Sequence, residues 1–234
     1  MDEFIQNLAA SSYLLIAGGY LLGGIPFGLL IGKAHGVDIR DQGSGNIGAT
    51  NLGRSLGRRW AFAAFLLDFS KGLLPFLAAG RLLEETPEKS IVCILTGAAS
   101  ILGHTFPIYL GFKGGKGVAT TFGVITAMAF PAAVLAAMAW GIVYLITRTV
   151  SLASLATGMA LPLGTWLAGL LYPSPPLAPQ LVFSTAIACL IFLRHRENIA
   201  RILRGEELTF RKKTDGPSVE ENSETRGLEE VPEP

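Results

Sequence analysis

The chain has 234 residues, of which 50% are hydrophobic and only 16% charged, and its mean hydropathy is +0.46. Soluble domains carry about 25% charged residues, so this composition excludes a water-soluble globular domain, a disordered chain, a coiled coil and a collagen-like protein. The two cysteines, Cys93 and Cys189, stand apart in apolar segments without metal-ligand spacing. A disulfide scaffold and a zinc site are therefore excluded as well.

The net charge of +1 hides a division of the chain. Residues 1–204 carry 15 basic and 9 acidic side chains, whereas residues 205–234 carry 4 basic and 9 acidic ones. Residues 211–234 are rich in Glu, Ser and Pro, which predicts a disordered acidic tail behind a single membrane-embedded domain over residues 1–210. The first twelve residues lack a basic n-region and a cleavage site, so no removable signal peptide is predicted.

The apolar segments are long enough to count as membrane spans. A helix crosses a bilayer with about 20 apolar residues, and five segments reach this length: Tyr13–Gly32, Trp60–Gly80, Ser90–Phe112, Leu152–Tyr172 and Leu177–Leu193. A sixth segment, Val118–Thr147, would make a helix of about 45 Å, which is too long for one crossing. It therefore either tilts steeply or forms two short helices that meet near Pro131.

Loop charge gives the orientation, because short cytoplasmic loops collect Lys and Arg. Lys33–Arg59 holds five basic residues and is predicted to lie inside, while Arg81–Lys89 and Pro173–Pro179 are predicted to lie outside. Basic residues flank residues 118–147 on both sides, so the number of crossings there is even. We predict an all-α polytopic integral membrane protein with about seven transmembrane helices, the N-terminus outside and the C-terminus inside. A re-entrant hairpin at residues 118–147, leaving five full spans, fits equally well.

Three polar segments lie on the predicted inner side, and the first follows the first span. It has four glycines in eleven residues together with short polar side chains and an arginine: Ser44, Gly45, Asn46, Gly48, Thr50, Asn51 and Arg54. Glycine lets backbone N–H groups approach a ligand, and a concave run of such groups binds anions. The segment indicates a phosphate site, although a plain glycine-rich turn has the same composition.

The second segment is a basic, glycine-rich loop at the start of a helix: Lys113, Gly114, Gly115, Lys116 and Gly117. Free N–H groups at a helix start bind anions. The residue order does not match the phosphate loop of nucleotide-binding proteins. Lysines that merely mark the inner membrane surface are the alternative interpretation.

The third segment, Arg194–Gly205, places His195 and Asn198 three residues apart, on one face of a helix. An interfacial helix resting on anionic headgroups is the alternative. Within the second span, Asp68 and Lys71 are one helical turn apart. Since charges at membrane depth are costly, we expect them to form a structural ion pair.

The three segments together suggest one site with two phosphate pockets. They contain the motifs GSGNIGATNLGR, GHTFPIYLGFKGGKGVATTFG and RHRENIARILRGEE. By these motifs the chain closely resembles the bacterial acyl phosphate:glycerol-3-phosphate acyltransferases, the PlsY family, from Tyr13 to about Glu207. The resemblance implies transfer of a fatty acyl group from acyl phosphate to the 1-hydroxyl of glycerol 3-phosphate. The products would be lysophosphatidic acid and phosphate, in the first acylation of phospholipid synthesis.

The resemblance also implies roles for single residues. Residues 44–51 would hold the acyl phosphate, while Arg54, Lys116 and the glycines around it would hold glycerol 3-phosphate. His195 and Asn198 would face the reacting hydroxyl, and Glu207 would be structural. The implied catalytic set is His195, Asn198, Lys116 and Ser44. The implied substrate-binding set is Ser44, Gly45, Asn46, Gly48, Thr50, Asn51, Arg54, Lys113, Gly114, Gly115, Lys116, Gly117 and Ser154, with Ser151 a near-equal candidate to Ser154.

No cofactor, metal or nucleic acid is implied. The expected partners are membrane lipids, acyl phosphate, glycerol 3-phosphate and neighbouring phospholipid-synthesis enzymes. The expected location is the bacterial cytoplasmic (inner) membrane, with a multi-pass chain and the site facing the cytoplasm.

Other functional classes fit the sequence less well. Acyltransferases with a His-x4-Asp pair are excluded, because Arg40, Tyr109 and Ala200 stand five positions after the three histidines. A transporter would place its polar groups near the bilayer midplane, and here they cluster on one side. A lipid-binding scaffold would tolerate loss of Lys116, and a CDP-alcohol phosphotransferase would need a DG-x-x-AR motif that the chain lacks.

Overall fold

The computed structural model describes residues 2–171 and 177–209, with side chains from Ala10 onward. Within these ranges the chain forms ten α-helices and no strand, which confirms the predicted all-α class. The helices are α1 (Asp2–Gly23), α2 (Phe27–Ala34), α3 (Ala49–Leu56), α4 (Arg58–Leu82), α5 (Lys89–Thr105), α6 (Val118–Met128), α7 (Phe130–Thr147), α8 (Val150–Leu171), α9 (Leu177–Arg194) and α10 (Arg196–Leu203). The predicted tail, residues 211–234, lies outside these ranges, and the domain boundary at residue 210 stays a prediction.

The long helices are membrane spans by length and composition. Among the described residues, six are long and apolar enough to cross a bilayer: Ala10–Ala34, Arg58–Leu82, Lys89–Leu110, Phe130–Thr147, Val150–Leu171 and Leu177–Arg194. The apolar helix α6 has 11 residues, about 16 Å, and is too short to cross alone. The predicted count of seven and the orientation of the termini therefore stay predictions.

The apolar region at residues 118–147 divides into two helices, as the sequence predicts. The break falls at Ala129, whose backbone is extended (φ −152°, ψ 80°), and Pro131 follows in the first turn of α7. Proline fits a first turn because its missing N–H would have no intrahelical partner there. The region is thus two helices rather than one tilted helix.

The first predicted span, Tyr13–Gly32, lies within the span Ala10–Ala34, but it is not one continuous helix. It divides into α1 and α2 around Pro26, which cannot donate a backbone hydrogen bond and disfavours helical backbone at Ile25. The break frees the carbonyl of Ile25, which accepts a hydrogen bond from the ammonium of Lys71 at 2.7 Å. The interruption therefore gives the buried Lys71 a backbone acceptor outside its own helix.

Helices α4 and α6 pack with their backbones in close contact. A Cβ atom at Gly123 would lie 2.0 Å from the carbonyl oxygen of Phe69, and one at Gly72 would lie 2.2 Å from that of Thr120. Small residues permit such close approach between membrane helices. This contact fixes the start of α6, and with it the loop that precedes α6, against α4.

We expect Gly123→Ala to lower the melting temperature in detergent micelles, because an added methyl group forces α4 and α6 apart at a cost of about 1–3 kcal/mol. Gly141→Ala, on α7, is the matched control, since nothing lies within 4 Å of a Cβ added there. Its melting temperature should equal or exceed that of the wild type. Equal melting temperatures for the two variants would contradict the packing argument.

Candidate active site

The glycine-rich segment after α2 is held in shape by its own asparagines. Asn51 is buried; its side-chain oxygen accepts from the backbone N–H of Ser44 at 2.9 Å, and its amide donates to the carbonyls of Ile39 and Gln42. Asn46 accepts from the N–H of Gly48 at 2.9 Å. Both amides therefore shape the loop.

The same segment ends in a helix start. Gly48 is the N-cap of α3, and no side chain caps the first turn of the helix. The N–H groups of Ala49 and Thr50 therefore can bind a ligand. Gly48, Ala49 and Thr50 border a cavity, and Arg54, one turn further on, borders it too. A guanidinium of Arg54 also donates to the carbonyl of Leu208 at 3.3 Å, which ties α3 to the C-terminal segment.

The lysine-glycine loop before α6 is clamped from two sides. The N–H of Gly115 donates to the carbonyl of His104 at 3.0 Å. From the other side, Arg194 donates to the carbonyls of Gly114 at 3.1 Å and Gly115 at 3.3 Å. Gly117 has a φ of +81° and is the N-cap of α6, a conformation that favours glycine. These contacts hold Gly114 and Gly115, which directly precede Lys116 in the chain.

Lys116 belongs to a polar network that joins three distant parts of the chain. Its ammonium donates a hydrogen bond to the side-chain oxygen of Asn198, on α10. The amide of Asn198 donates to Glu207 at 2.6 Å, and Glu207 also accepts from Ser151 at 2.8 Å and from Arg201 at 2.8 Å. Glu207 is therefore the centre that fixes α8, α10 and the lysine loop together.

Burial and neighbouring charges set the protonation states in this network. Burial lowers the pKa of Lys116 to about 8, with Glu207 opposing the change. Burial raises the pKa of Glu207, but hydrogen bonds from Asn198, Ser151 and Arg201 outweigh it and hold that pKa below the usual value. At neutral pH the network thus contains a charged lysine beside an ionised glutamate.

His195 lies between α9 and α10 and is 2% exposed. Its Nδ1 atom lies 2.8 Å from the carbonyl oxygen of Ile191, so Nδ1 carries the proton and donates. Nε2 then holds a free lone pair, which can accept a hydrogen bond or a proton. Burial, together with the charge of Lys116, lowers the pKa of His195 to about 4, so the ring is neutral at pH 7.

A cavity of about 600 Å³ joins these groups. Its polar end is bordered by both glycine-containing segments and by residues of α8 and α10. Its other walls are apolar and come from α4, α6 and α7: Phe62, Phe65, Phe69, Val118, Ala119, Phe122, Phe130, Ala133, Val134, Ala137 and Trp140. The cavity thus suits a molecule with an anionic head and a long apolar tail.

The structure brings most of the sequence-predicted residues to this cavity. Those that border it are Ser44, Asn46, Gly48, Thr50, Asn51, Arg54, Asp68, Lys116, Ser154, His195, Asn198 and Glu207. Gly45, Lys113, Gly114, Gly115, Gly117 and Lys71 do not border it, and Lys113 is exposed. Ser151 also borders the cavity and bonds to Glu207, whereas Ser154 donates to the carbonyl of Val150 in its own helix.

His104 belongs to the second motif, but the sequence predicts no role for it at the site, and the apolar walls are not predicted either. A single histidine within an apolar span carries no local sign that it faces a site. The spacing of Phe62, Phe65 and Phe69 places them on one helical face, but a face directed at lipid has the same pattern. Only the packing of α4 against α6 distinguishes the two.

Comparison with known proteins gives a consistent result. A sequence profile described as "Glycerol-3-phosphate acyltransferase" matches residues 13–205. The glycerol-3-phosphate acyltransferase of Geotalea daltonii is 47% identical over 203 residues, 86% of this chain and 99% of the relative. That of Aquifex aeolicus is 44% identical over 196 residues, 84% of this chain and 97% of the relative.

Solved structures agree with the sequence comparison. Two crystal structures of PlsY (YgiH), an integral membrane glycerol 3-phosphate acyltransferase, are 42% identical to this chain and match 86% of it and 96% of their own chains. The TM-score is 0.78 for the glycerol 3-phosphate form and 0.76 for the lysophosphatidic acid form. On the profile match, the identities and the shared fold, the chain belongs to the glycerol-3-phosphate acyltransferase family of integral membrane proteins.

Proposed function

We propose that this chain transfers a fatty acyl group from acyl phosphate to the 1-hydroxyl of glycerol 3-phosphate, giving lysophosphatidic acid and phosphate. The observation that carries the proposal is a cavity that is lined both by cationic side chains and by apolar walls. Named relatives that are glycerol-3-phosphate acyltransferases, and the glycerol 3-phosphate and lysophosphatidic acid forms of PlsY, support the acceptor and the product.

The polar end offers groups for two phosphates. Lys116 and Arg54 border it as fixed cations, and we assign them to the phosphate of glycerol 3-phosphate. The open N–H groups at the start of α3, together with Ser44, suit the phosphate of the acyl donor.

The apolar walls suit the acyl tail. Phe62 and Phe130 border the cavity and are 62% and 63% exposed, so the cavity wall is open to its surroundings at these two rings. A donor dissolved in the membrane would find apolar contacts at this part of the wall. This supports an acyl donor that carries its phosphate at the membrane surface and its tail within the bilayer.

The reaction needs alignment and charge stabilisation more than a covalent enzyme intermediate. The 1-hydroxyl oxygen attacks the carbonyl carbon of the mixed anhydride, and the bond from that carbon to the phosphate oxygen breaks as phosphate leaves. The hydroxyl proton passes either to Nε2 of His195 or to the substrate phosphate, with His195 then only accepting a hydrogen bond. Fixed cations near the developing oxyanion lower the barrier without reorganisation.

We place the chain in the bacterial inner membrane with the cavity facing the cytoplasm, because the basic segments around Arg54, Lys116 and Arg194 meet at one end of the bundle. Membrane lipids are then its surroundings, and neighbouring phospholipid-synthesis enzymes would supply its acyl donor and consume its product. Labelling of single cysteines introduced at Lys33 and Glu85, in a variant without native cysteines, tests the orientation. Membrane-impermeant reagent should reach only the Glu85 position in intact cells.

The donor is tested with the purified protein, labelled glycerol 3-phosphate and either palmitoyl phosphate or palmitoyl-CoA. We expect labelled lysophosphatidic acid from palmitoyl phosphate alone. Formation of that product from palmitoyl-CoA, with none from palmitoyl phosphate, would contradict the proposed donor.

The pKa of Lys116 predicts a pH effect. The lowered pKa means that the ammonium loses its proton as pH rises through about 8, and the phosphate then loses a cationic partner. We expect kcat/KM for glycerol 3-phosphate, which reports the free enzyme, to fall above that pH. In Lys116→Arg the fall should disappear, because a guanidinium stays protonated. An unchanged alkaline fall in the arginine variant would contradict the assignment.

A further inference from the structure

A chain of buried polar contacts begins where the first span is interrupted. The ammonium of Lys71, on α4, donates to the carbonyl of Ile25 at 2.7 Å and lies 2.8 Å from a carboxylate oxygen of Asp68. The Lys71 and Asp68 side chains are 4% and 3% exposed. Lys71 is thus held by two acceptors, and it fixes the position of Asp68.

Asp68 in turn faces α5. Its carboxylate lies 3.6 Å from Nδ1 of His104, a contact too long for a hydrogen bond but close enough to orient the ring electrostatically. His104 is 5% exposed, and its Nδ1 has no hydrogen-bond partner among the described residues. Asp68, His104 and Lys116 all border the cavity.

The chain of contacts continues from His104 to the loop before α6, residues 113–117. Its carbonyl accepts from the N–H of Gly115, and its ring packs so closely on Gly115 that a Cβ there would lie 2.1 Å from Nε2. A Cβ at Gly114 would lie 2.2 Å from the same carbonyl oxygen. With Arg194 clamping the opposite side, the loop has no room to shift unless the His104 ring shifts as well.

We propose that Asp68, Lys71 and His104 form a positioning network that holds Gly115, and through it the ammonium of Lys116, in the orientation that binds the phosphate of glycerol 3-phosphate. This inference rests on the proposed function, because that assigns Lys116 to glycerol 3-phosphate. The network acts through the loop and not on the reacting atoms. An ion pair serving only to pack α4 would need no contact with the loop, and apolar residues would pack as well.

The test is the affinity for glycerol 3-phosphate, measured by titration calorimetry on the purified full chain. We expect His104→Ala to raise the dissociation constant, and the KM for glycerol 3-phosphate, by about tenfold, with the KM for acyl phosphate unchanged. Ser100→Ala is the matched control on α5, since Ser100 is buried, bonds to its own helix at Thr96 and lies away from the cavity. It should leave both constants at their wild-type values.

A double-variant cycle separates positioning from general packing. If His104 acts through Lys116, the losses of affinity in His104→Ala and Lys116→Arg should not multiply in the double variant. His104→Gln keeps a hydrogen-bond donor near Asp68 and should restore part of the affinity. If the alanine variant does not fold, the glutamine variant takes its place in the cycle with Lys116→Arg. Unchanged affinity in the His104 variant, or losses that multiply fully, would overturn the inference.

The same experiment keeps the two proposals apart. Lysophosphatidic acid formed by the wild type tests the proposed function, while the ratio of dissociation constants between wild type and variants tests the network. If the wild type binds glycerol 3-phosphate but forms no product, the proposed reaction is contradicted. The dissociation constants of the variants then still test the network.

Discussion

Lys116→Ala is expected to reduce acyl transfer by about 100- to 1000-fold, the range found when a preorganised charge-stabilising group is removed from an active site. The ammonium borders the cavity and bonds to Asn198, which bonds to Glu207. Its loss removes a cation from the phosphate site and leaves Glu207 without that charge nearby. The measurement is steady-state formation of lysophosphatidic acid, with the melting temperature recorded alongside.

The matched control for this result is Lys33→Ala. Lys33 is exposed at the end of α2 and does not border the cavity, so its loss removes the same charge from the predicted inner side without touching the site. We expect turnover close to that of the wild type. A comparable loss in both variants would mean that the general positive charge of this surface, and not Lys116, supports activity.

His195→Ala is expected to lower turnover by about 100-fold or more, within the range that general acid–base groups contribute. The ring is neutral above about pH 4, and its Nδ1 proton is engaged with Ile191. Its Nε2 lone pair is therefore available to the hydroxyl of the acceptor at neutral pH. His35→Ala is the control, because His35 packs against Trp60 with the two rings tilted by 60° and lies outside the cavity lining.

His195→Asn distinguishes the two routes for the proton. An amide can position a hydroxyl by hydrogen bonding, but it cannot act as a base at neutral pH. Near-normal turnover in this variant would exclude His195 as the base and would favour the substrate phosphate. A loss as large as that of the alanine variant would favour proton transfer to His195.

The sequence predicts the elements better than their interruptions. The break in the long apolar region follows from its length and loop charges, and the structure has it at Ala129, two residues before Pro131. The break at Pro26 escaped prediction, because proline within a membrane helix is often tolerated when neighbours satisfy the freed carbonyl. Here Lys71 satisfies the carbonyl of Ile25, a partner 46 residues away that no local pattern indicates.

The sequence also predicts only part of the candidate site. The residue types in the three motifs predict which segments meet. Lysine, asparagine and clustered glycines are unfavourable in contact with lipid, so the segments that contain them are expected to face one another. The residue types do not tell which way a side chain faces. The resemblance assigns Asn51 to the substrate, whereas in the structure its amide is bonded to the backbone of its own loop. Its contact with substrate stays a prediction, as do the other assigned roles.

The fate of a labelled phosphate tests the central claim most directly. The purified protein would be given palmitoyl phosphate labelled with ³²P, together with unlabelled glycerol 3-phosphate, and the products separated. The account predicts one lysophosphatidic acid for each phosphate released, with all of the label in inorganic phosphate. Label in the lipid product, or phosphate released without lysophosphatidic acid, would contradict acyl transfer to glycerol 3-phosphate in this cavity.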